Sequence, residues 1–374
     1  LYIIMNSLST LCIFIVILFL YIHIANQFKK SDDLEIYETD FQNTKHLEDV
    51  CELKQPILMN ISDILPNLFS DITPERIARF SSHDVNVKDI RDYYTDKNES
   101  VEPICLPFNT TVQFLESDNQ GHLFSENNQE FLEESGLKKK FQSVDHVLKP
   151  SFSVNTRYDL WFGAKNTVTP LRYHTDSRQF LCITNGKIRV KMTHWKSTKY
   201  LHPHKDYEKY EFCSPVHPHN PDKSYQFDFD KTNFMEFDVK EGYMLYIPPY
   251  WWYSISYLDE PNTYVSSITY NSLVNCLSNS WDLSLYFLQQ QNIKQKPEKT
   301  LEEAPEEIVA EPTTPIRMDE IEPQTDDVQE DEIQAEEPDT EQAQVLEEKP
   351  DITRVIKPLP EKENENIEYS ISSI

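Results

Sequence analysis

Apolar positions along the chain fall into three regimes. Residues Leu8 to Ala25 are apolar apart from Ser9, Thr10 and His23, and five apolar residues precede Asn6. A run of that length is enough to cross a bilayer. No Lys or Arg precedes it and no small-x-small cleavage pattern follows. It therefore reads as an uncleaved membrane anchor over residues 1–28 rather than a secretory signal. Lys29 and Lys30 directly after the run favour a single pass with the remainder of the chain on the cytosolic side. Residues 29–54 read as a juxtamembrane segment.

The second regime, 55–292, reads as the folded domain. Gln55–Asn60 ("QPILMN") predicts a short buried strand. Thr73 before Pro74 marks one helix start, and Ser125 with Gly136 predicts a second helix between cap and stop. Beyond residue 150 the period shortens to two. Ile188, Val190 and Met192 alternate with Lys187, Arg189 and Lys191, the pattern of a strand with one wet face. Asn185-Gly186 before it predicts a type I′ hairpin, because that turn takes positive φ at both positions. A second pair is predicted to turn at Lys240–Gly242, and "YSISY" and "TYVSSITY" add two more strands. Aromatic and β-branched residues at this spacing predict a mainly β fold, an antiparallel barrel or sandwich with flanking helices. A closing helix is expected to bury one face made of Leu277, Trp281, Leu285 and Leu288.

The third regime, 293–374, is Glu-, Pro-, Gln- and Asp-rich and predicts a disordered acidic tail. It also explains the net charge of −28. Residues 301–374 alone carry 24 acidic and 5 basic side chains, which leaves −9 for the first 300. With no basic patch, nucleic acid is excluded as a direct partner. Six scattered cysteines without a CxxC argue against a disulfide framework, and 5 glycines leave no phosphate loop.

The candidate chemistry lies in two blocks. "LWFGAKNTVTPLRYHTDSRQFLCITNGKIRV" contains His174-x-Asp176, and "VKEGYMLYIPPYWWYSISY" follows some sixty residues later. Together they resemble the cupin-like domains of the Jumonji C type, the double-stranded β-helix oxygenases that use iron(II) and 2-oxoglutarate. Trp161, Gly163, Thr169, Pro170 and the "EG-x-x-L-x-IPP-x-WW" block carry that resemblance. The overall layout also resembles membrane-anchored cupin-like proteins of large DNA viruses.

The resemblance implies a double-stranded β-helix (cupin or jelly-roll) core and a metal held by two histidines and a carboxylate, with open positions for oxygen and cosubstrate. It points to His174 and Asp176 as metal ligands and to Thr169 and Lys187 as cosubstrate-binding residues. Two registers stay open. Aligned literally on Thr169-Pro170, Arg172 and His174 stand at the two ligand positions; slid by two, His174 and Asp176 do. In either register Tyr253 stands where the second histidine belongs, and Lys187 sits one residue early for the cosubstrate anchor.

Two functions remain in view. One is a membrane-held cupin-like module without cofactor, binding or scaffolding a protein partner. The other is an active 2-oxoglutarate-dependent protein hydroxylase or demethylase with iron(II) and 2-oxoglutarate.

Overall fold

Beyond residue 150, the strands joined by the two shortest turns, at Gly186 and at Glu241–Gly242, lie in different sheets rather than pairing with each other. The computed structural model describes residues 2–28, 30–95, 100–258 and 263–295, all in one unit, Leu1–Leu301. The acidic tail, with a second unit at 302–374, lies outside the described residues.

The strands are β1 (Tyr37–Glu38), β2 (Ile57–Asn60), β3 (Asp84–Asp89), β4 (Ile104–Pro107), β5 (Leu123–Ser125), β6 (Ser153–Gly163), β7 (Arg172–Tyr173) and β8 (Arg178–Asn185). They continue as β9 (Lys187–Thr193), β10 (His204–Asp206), β11 (Glu211–Cys213), β12 (Met235–Lys240), β13 (Tyr243–Ile247), β14 (Trp252–Tyr257) and β15 (Tyr264–Ser272). The larger sheet runs β1-β2-β13-β8-β15-β6-β5-β3-β4, and the smaller β10-β11-β7-β14-β9-β12. All neighbours are antiparallel except β1 and β2. This is a mainly β, double-stranded β-helix core with flanking helices.

The predicted hairpins are therefore corrected. β8 pairs with β13 and β15, whereas β9 pairs with β12 and β14. Gly186 takes φ +79°, but Asn185 is not left-handed, so the type I′ geometry is not used. Asn185-Gly186 instead carries the chain from one sheet to the other. A Cβ at Gly186 would stand 2.5 Å from Thr263 Oγ1, so glycine is required there on two counts. Lys240–Gly242 makes the same kind of crossing between β12 and β13. Ser125 is also corrected: it ends β5, and the helix after it starts at Gln129 with Asn128 as its cap.

Two cores follow from this layout. Between the sheets, Leu181, Ile183, Leu245, Ile247 and Val265 meet Ile188, Val190, Met192, Ile255 and Tyr257. On the outer face of the larger sheet, Phe180, Cys182, Tyr246 and Tyr270 pack against the helices. β8 and β15 are thus buried on both faces, which is why they do not alternate. Part of the expected juxtamembrane segment is built into the fold: β1 extends the larger sheet, and helix Thr44–Cys51 puts Leu47, Val50 and Cys51 into the core. The helix Tyr2–Gln27 contains an 18-residue apolar window, Thr10–Gln27, long enough to cross a membrane. The closing helix, Ser280–Gln295, departs from expectation. Trp281 and Leu288 are exposed, and the buried side instead presents Asp282 to Lys205 and Tyr207.

Candidate functional site

A cavity of about 130 Å³ opens between the sheets at the end where β7 meets β14. Its walls include Arg172, His174, Asp176, Tyr253, Gln179 and Glu126. The alternation of β7 sends Arg172 inward, while Tyr173 on the other face stacks on Phe212 and meets Trp252 edge-on.

Arg172 is the direct cross-strand partner of Tyr253. Arg172 thus stands directly opposite the position where the resemblance expects the second histidine. The Arg172 guanidinium is buried, 2.6 Å from Glu126 Oε2, and lies over the Trp161 and Tyr253 rings at 4.9 and 5.5 Å. Glu126 also accepts from Lys88 Nζ at 3.0 Å, and Lys88 reaches Glu211 at 2.6 Å. Tyr93 closes the cluster by donating to Glu211 at 3.1 Å. Two cations thus meet two carboxylates in a nearly dry site, the arrangement in which buried charge is tolerated. Burial opposes the charge on Glu126, but Arg172 and Lys88 more than offset it and hold its pKa at about 2. Burial likewise opposes the charge on Arg172 and Lys88, and their carboxylates keep both firmly protonated.

His174 is held apart from that cluster. Its Nε2 lies 3.1 Å from the Ile247 carbonyl, so Nε2 carries the proton and Nδ1 the lone pair. Nδ1 is buried without a hydrogen-bond partner. Burial pushes the His174 pKa down to about 4 and keeps the ring neutral. Asp176 has both oxygens engaged, by Arg157 at 2.6 Å and by Asn271 at 2.5 Å. The Tyr253 hydroxyl donates to Gln179 at 3.4 Å, and burial raises its pKa. Asp159, at the cavity wall, accepts backbone N–H bonds from Asn127 and Asn128 and the Trp161 indole N–H.

The structure brings His174 and Asp176 to one cavity but leaves Thr169 and Lys187 outside it. Thr169 Oγ1 accepts from Ile255 N at 2.9 Å and serves the strand pairing. Lys187 is on the outer face of β9, ion-paired with Asp238 at 2.7 Å. The inward positions of that strand, Ile188, Val190 and Met192, are apolar, so β9 offers no cation to an internal carboxylate. Glu126, Lys88 and Glu211 were missed by the sequence reading.

The residues present do not fit iron(II). A guanidinium has no lone pair to give and Tyr253 is a buried neutral phenol. His174 Nδ1 and the Asp176 carboxylate are at most two of the three donors a facial triad needs. Among the described residues no group of three His, Cys, Asp or Glu side chains is placed to hold a metal.

The profile of a family described as cupin-like domain matches residues 29–277. Among known proteins, the Dictyostelium discoideum JmjC domain-containing protein D is 33% identical over 106 residues, covering 28% of this chain and 23% of the relative. Lysine-specific demethylase 8 of Danio rerio is 28% identical over 170 residues, 44% of this chain and 41% of the relative. The chain therefore spans less than half the length of these relatives. JmjC-like relatives of such domains usually use iron(II) and 2-oxoglutarate.

Proposed function

The chain belongs to the cupin-like domain family, and from that premise we propose that it is a membrane-held, non-catalytic member. In this reading an internal ion-pair cluster takes the place of the metal, and the domain binds or scaffolds a protein partner. The observation that carries it is Arg172. A fixed positive charge at the first ligand position, paired with Glu126 and opposite Tyr253, repels a divalent cation and donates nothing to it. The apolar filling between the sheets and the outward Lys187 support the same reading for 2-oxoglutarate. The helix Tyr2–Gln27 supports membrane attachment, and the Lys29-Lys30 pair that follows it in sequence supports a cytosolic side for the domain.

The enzyme alternative, a 2-oxoglutarate-dependent hydroxylase or demethylase, draws support from the names of the two relatives and from His174 and Asp176 sharing a cavity. Calorimetry on the full chain in detergent, without oxygen, separates the two. The non-catalytic reading expects no heat of iron(II) binding with or without 2-oxoglutarate. Micromolar binding that depends on 2-oxoglutarate overturns it.

A further inference from the structure

A second, larger hollow lies away from the internal cavity. It is a groove of about 700 Å³ walled by Lys30, Lys196, Lys199, Lys205, Trp195 and Tyr250. Two of the four lysines are neutralised locally. Lys196 pairs with Asp32, and Lys205 with Asp282 at 3.2 Å. Lys30 is half-buried and has no carboxylate partner among the described residues. Its ammonium lies 3.7 Å from the Tyr250 ring centroid and 5.2 Å from that of Trp195. Lys199 lies over the Tyr200 ring at 4.6 Å and has no carboxylate partner among the described residues. The groove thus holds two cations beyond its own counter-charges, against aromatic walls.

Its position gives this charge a meaning. Lys30 follows Gln27, the end of the apolar helix, by three residues, at most about 10 Å of extended chain. The headgroup zone flanking the hydrocarbon core is about 5–8 Å deep, so Lys30 lies within it or at its outer edge. Trp and Tyr prefer that zone, and lysines there are drawn to anionic lipid. The groove is also tied to the closing helix through Lys205–Asp282, and Tyr250 donates its hydroxyl at 2.6 Å to Asn279, the residue just before that helix. The exposed positions of that helix from Ser280 to Asn292 carry no charge and include Trp281, Phe287 and Leu288. The preceding helix, Leu273–Ser278, packs against the apolar N-terminal helix.

We propose that this groove binds the phosphate-bearing headgroup of an anionic membrane lipid, with Lys30 and Lys199 on the phosphate and Trp195 and Tyr250 against the glycerol and upper chain. The site rests on the anchored reading above. It holds the domain close to the bilayer surface as well as tethering it there.

The test uses the full chain reconstituted into nanodiscs of phosphatidylcholine with a minor fraction of phosphatidylserine. Lipid retained after mild release is counted by native mass spectrometry. Wild type is expected to retain phosphatidylserine in preference to phosphatidylcholine. Lys30→Gln/Lys199→Gln should lower that preference at least about fivefold. Lys139→Gln/Lys223→Gln, two exposed lysines elsewhere, should leave it unchanged. Equal retention of the two lipids, or no change in the groove variant, overturns the site while leaving the anchor standing. Loss of retained lipid on adding inorganic phosphate alone, at concentrations that also protect the lipid-free protein from heat, reassigns the groove to free phosphate and overturns the lipid site. Alkaline carbonate extraction of wild type is run in parallel. Release of the protein from the membrane overturns the anchored reading, and with it this proposal.

Discussion

Arg172 and Tyr253 face each other as cross-strand partners on β7 and β14, the guanidinium carbon 5.5 Å from the phenol ring centroid. Restoring one ligand is therefore not enough to rebuild a metal site. Tyr253→His is expected to show no iron(II) binding by anaerobic calorimetry, because Arg172 still projects its charge at the same point. Arg172→His/His174→Asp/Tyr253→His removes that charge and supplies three ligands in the literal register. It is expected to gain measurable affinity. Binding by the single variant would mean that the slid register is the correct one.

The Glu126 carboxylate is the hub of the internal cluster, shared by Arg172 and Lys88. Glu126→Ala leaves two buried cations with Glu211 alone. It should cost about 3–5 kcal/mol, the range for breaking a buried pair from one side. Glu126→Gln/Arg172→Met removes both charges and keeps the volume, so it should cost less than Glu126→Ala. Urea unfolding followed by fluorescence measures both, and equal losses would mean that the cluster is not electrostatically coupled.

His174 makes stability depend on pH in a defined direction. Its folded pKa, about 4, lies below the ordinary value near 6.5 because burial disfavours the charged ring. The unfolded chain binds the proton more readily. His174 therefore contributes no loss above pH 6.5 and an increasing one as pH falls toward 4, up to about 3 kcal/mol. Melting temperatures of wild type and His174→Gln across that window should converge at the acid end. Parallel curves would show that the ring is solvated.

Much of this fold could be read from the chain, and the reason differs by element. β9 was readable because one of its faces meets solvent, so Lys187, Arg189 and Lys191 mark the outside. β8 and β15 carry no such mark, since both faces are buried. The turn at Asn185-Gly186 was placed correctly, but its partner strands were not. A dipeptide records local φ, whereas the choice of sheet is made by contacts far along the chain. Arg172 was visible as a departure at a known motif position. Lys88 and Glu126 were not, because each looks like an ordinary charge until their separation of 38 residues is folded away. The closing helix was recognised as a helix but assigned the wrong face. Trp281, Phe287 and Leu288 point outward, whereas Leu283, Leu285 and Tyr286 are half-buried.

The crossing at Gly186 gives a sharper stability test than any strand residue. Gly186→Ala meets both a left-handed φ and Thr263, and should lose about 1–3 kcal/mol. Lys187→Gln, one residue later, touches only a half-exposed ion pair with Asp238 and should change stability by less than about 1 kcal/mol. Thermal unfolding of the two neighbours side by side checks both values.

Dealing successive strands into opposite sheets also sets the order of events at synthesis. β15 lies in the middle of the larger sheet, between β6 and β8, and β2 waits for β13, almost two hundred residues downstream. β3 can already pair with β4 and β5, but the centre of the larger sheet closes only when β13 and β15 arrive. A chain stopped before Tyr264 would leave two central edges open. Such a fragment is a substrate for chaperones and proteases rather than a smaller working domain.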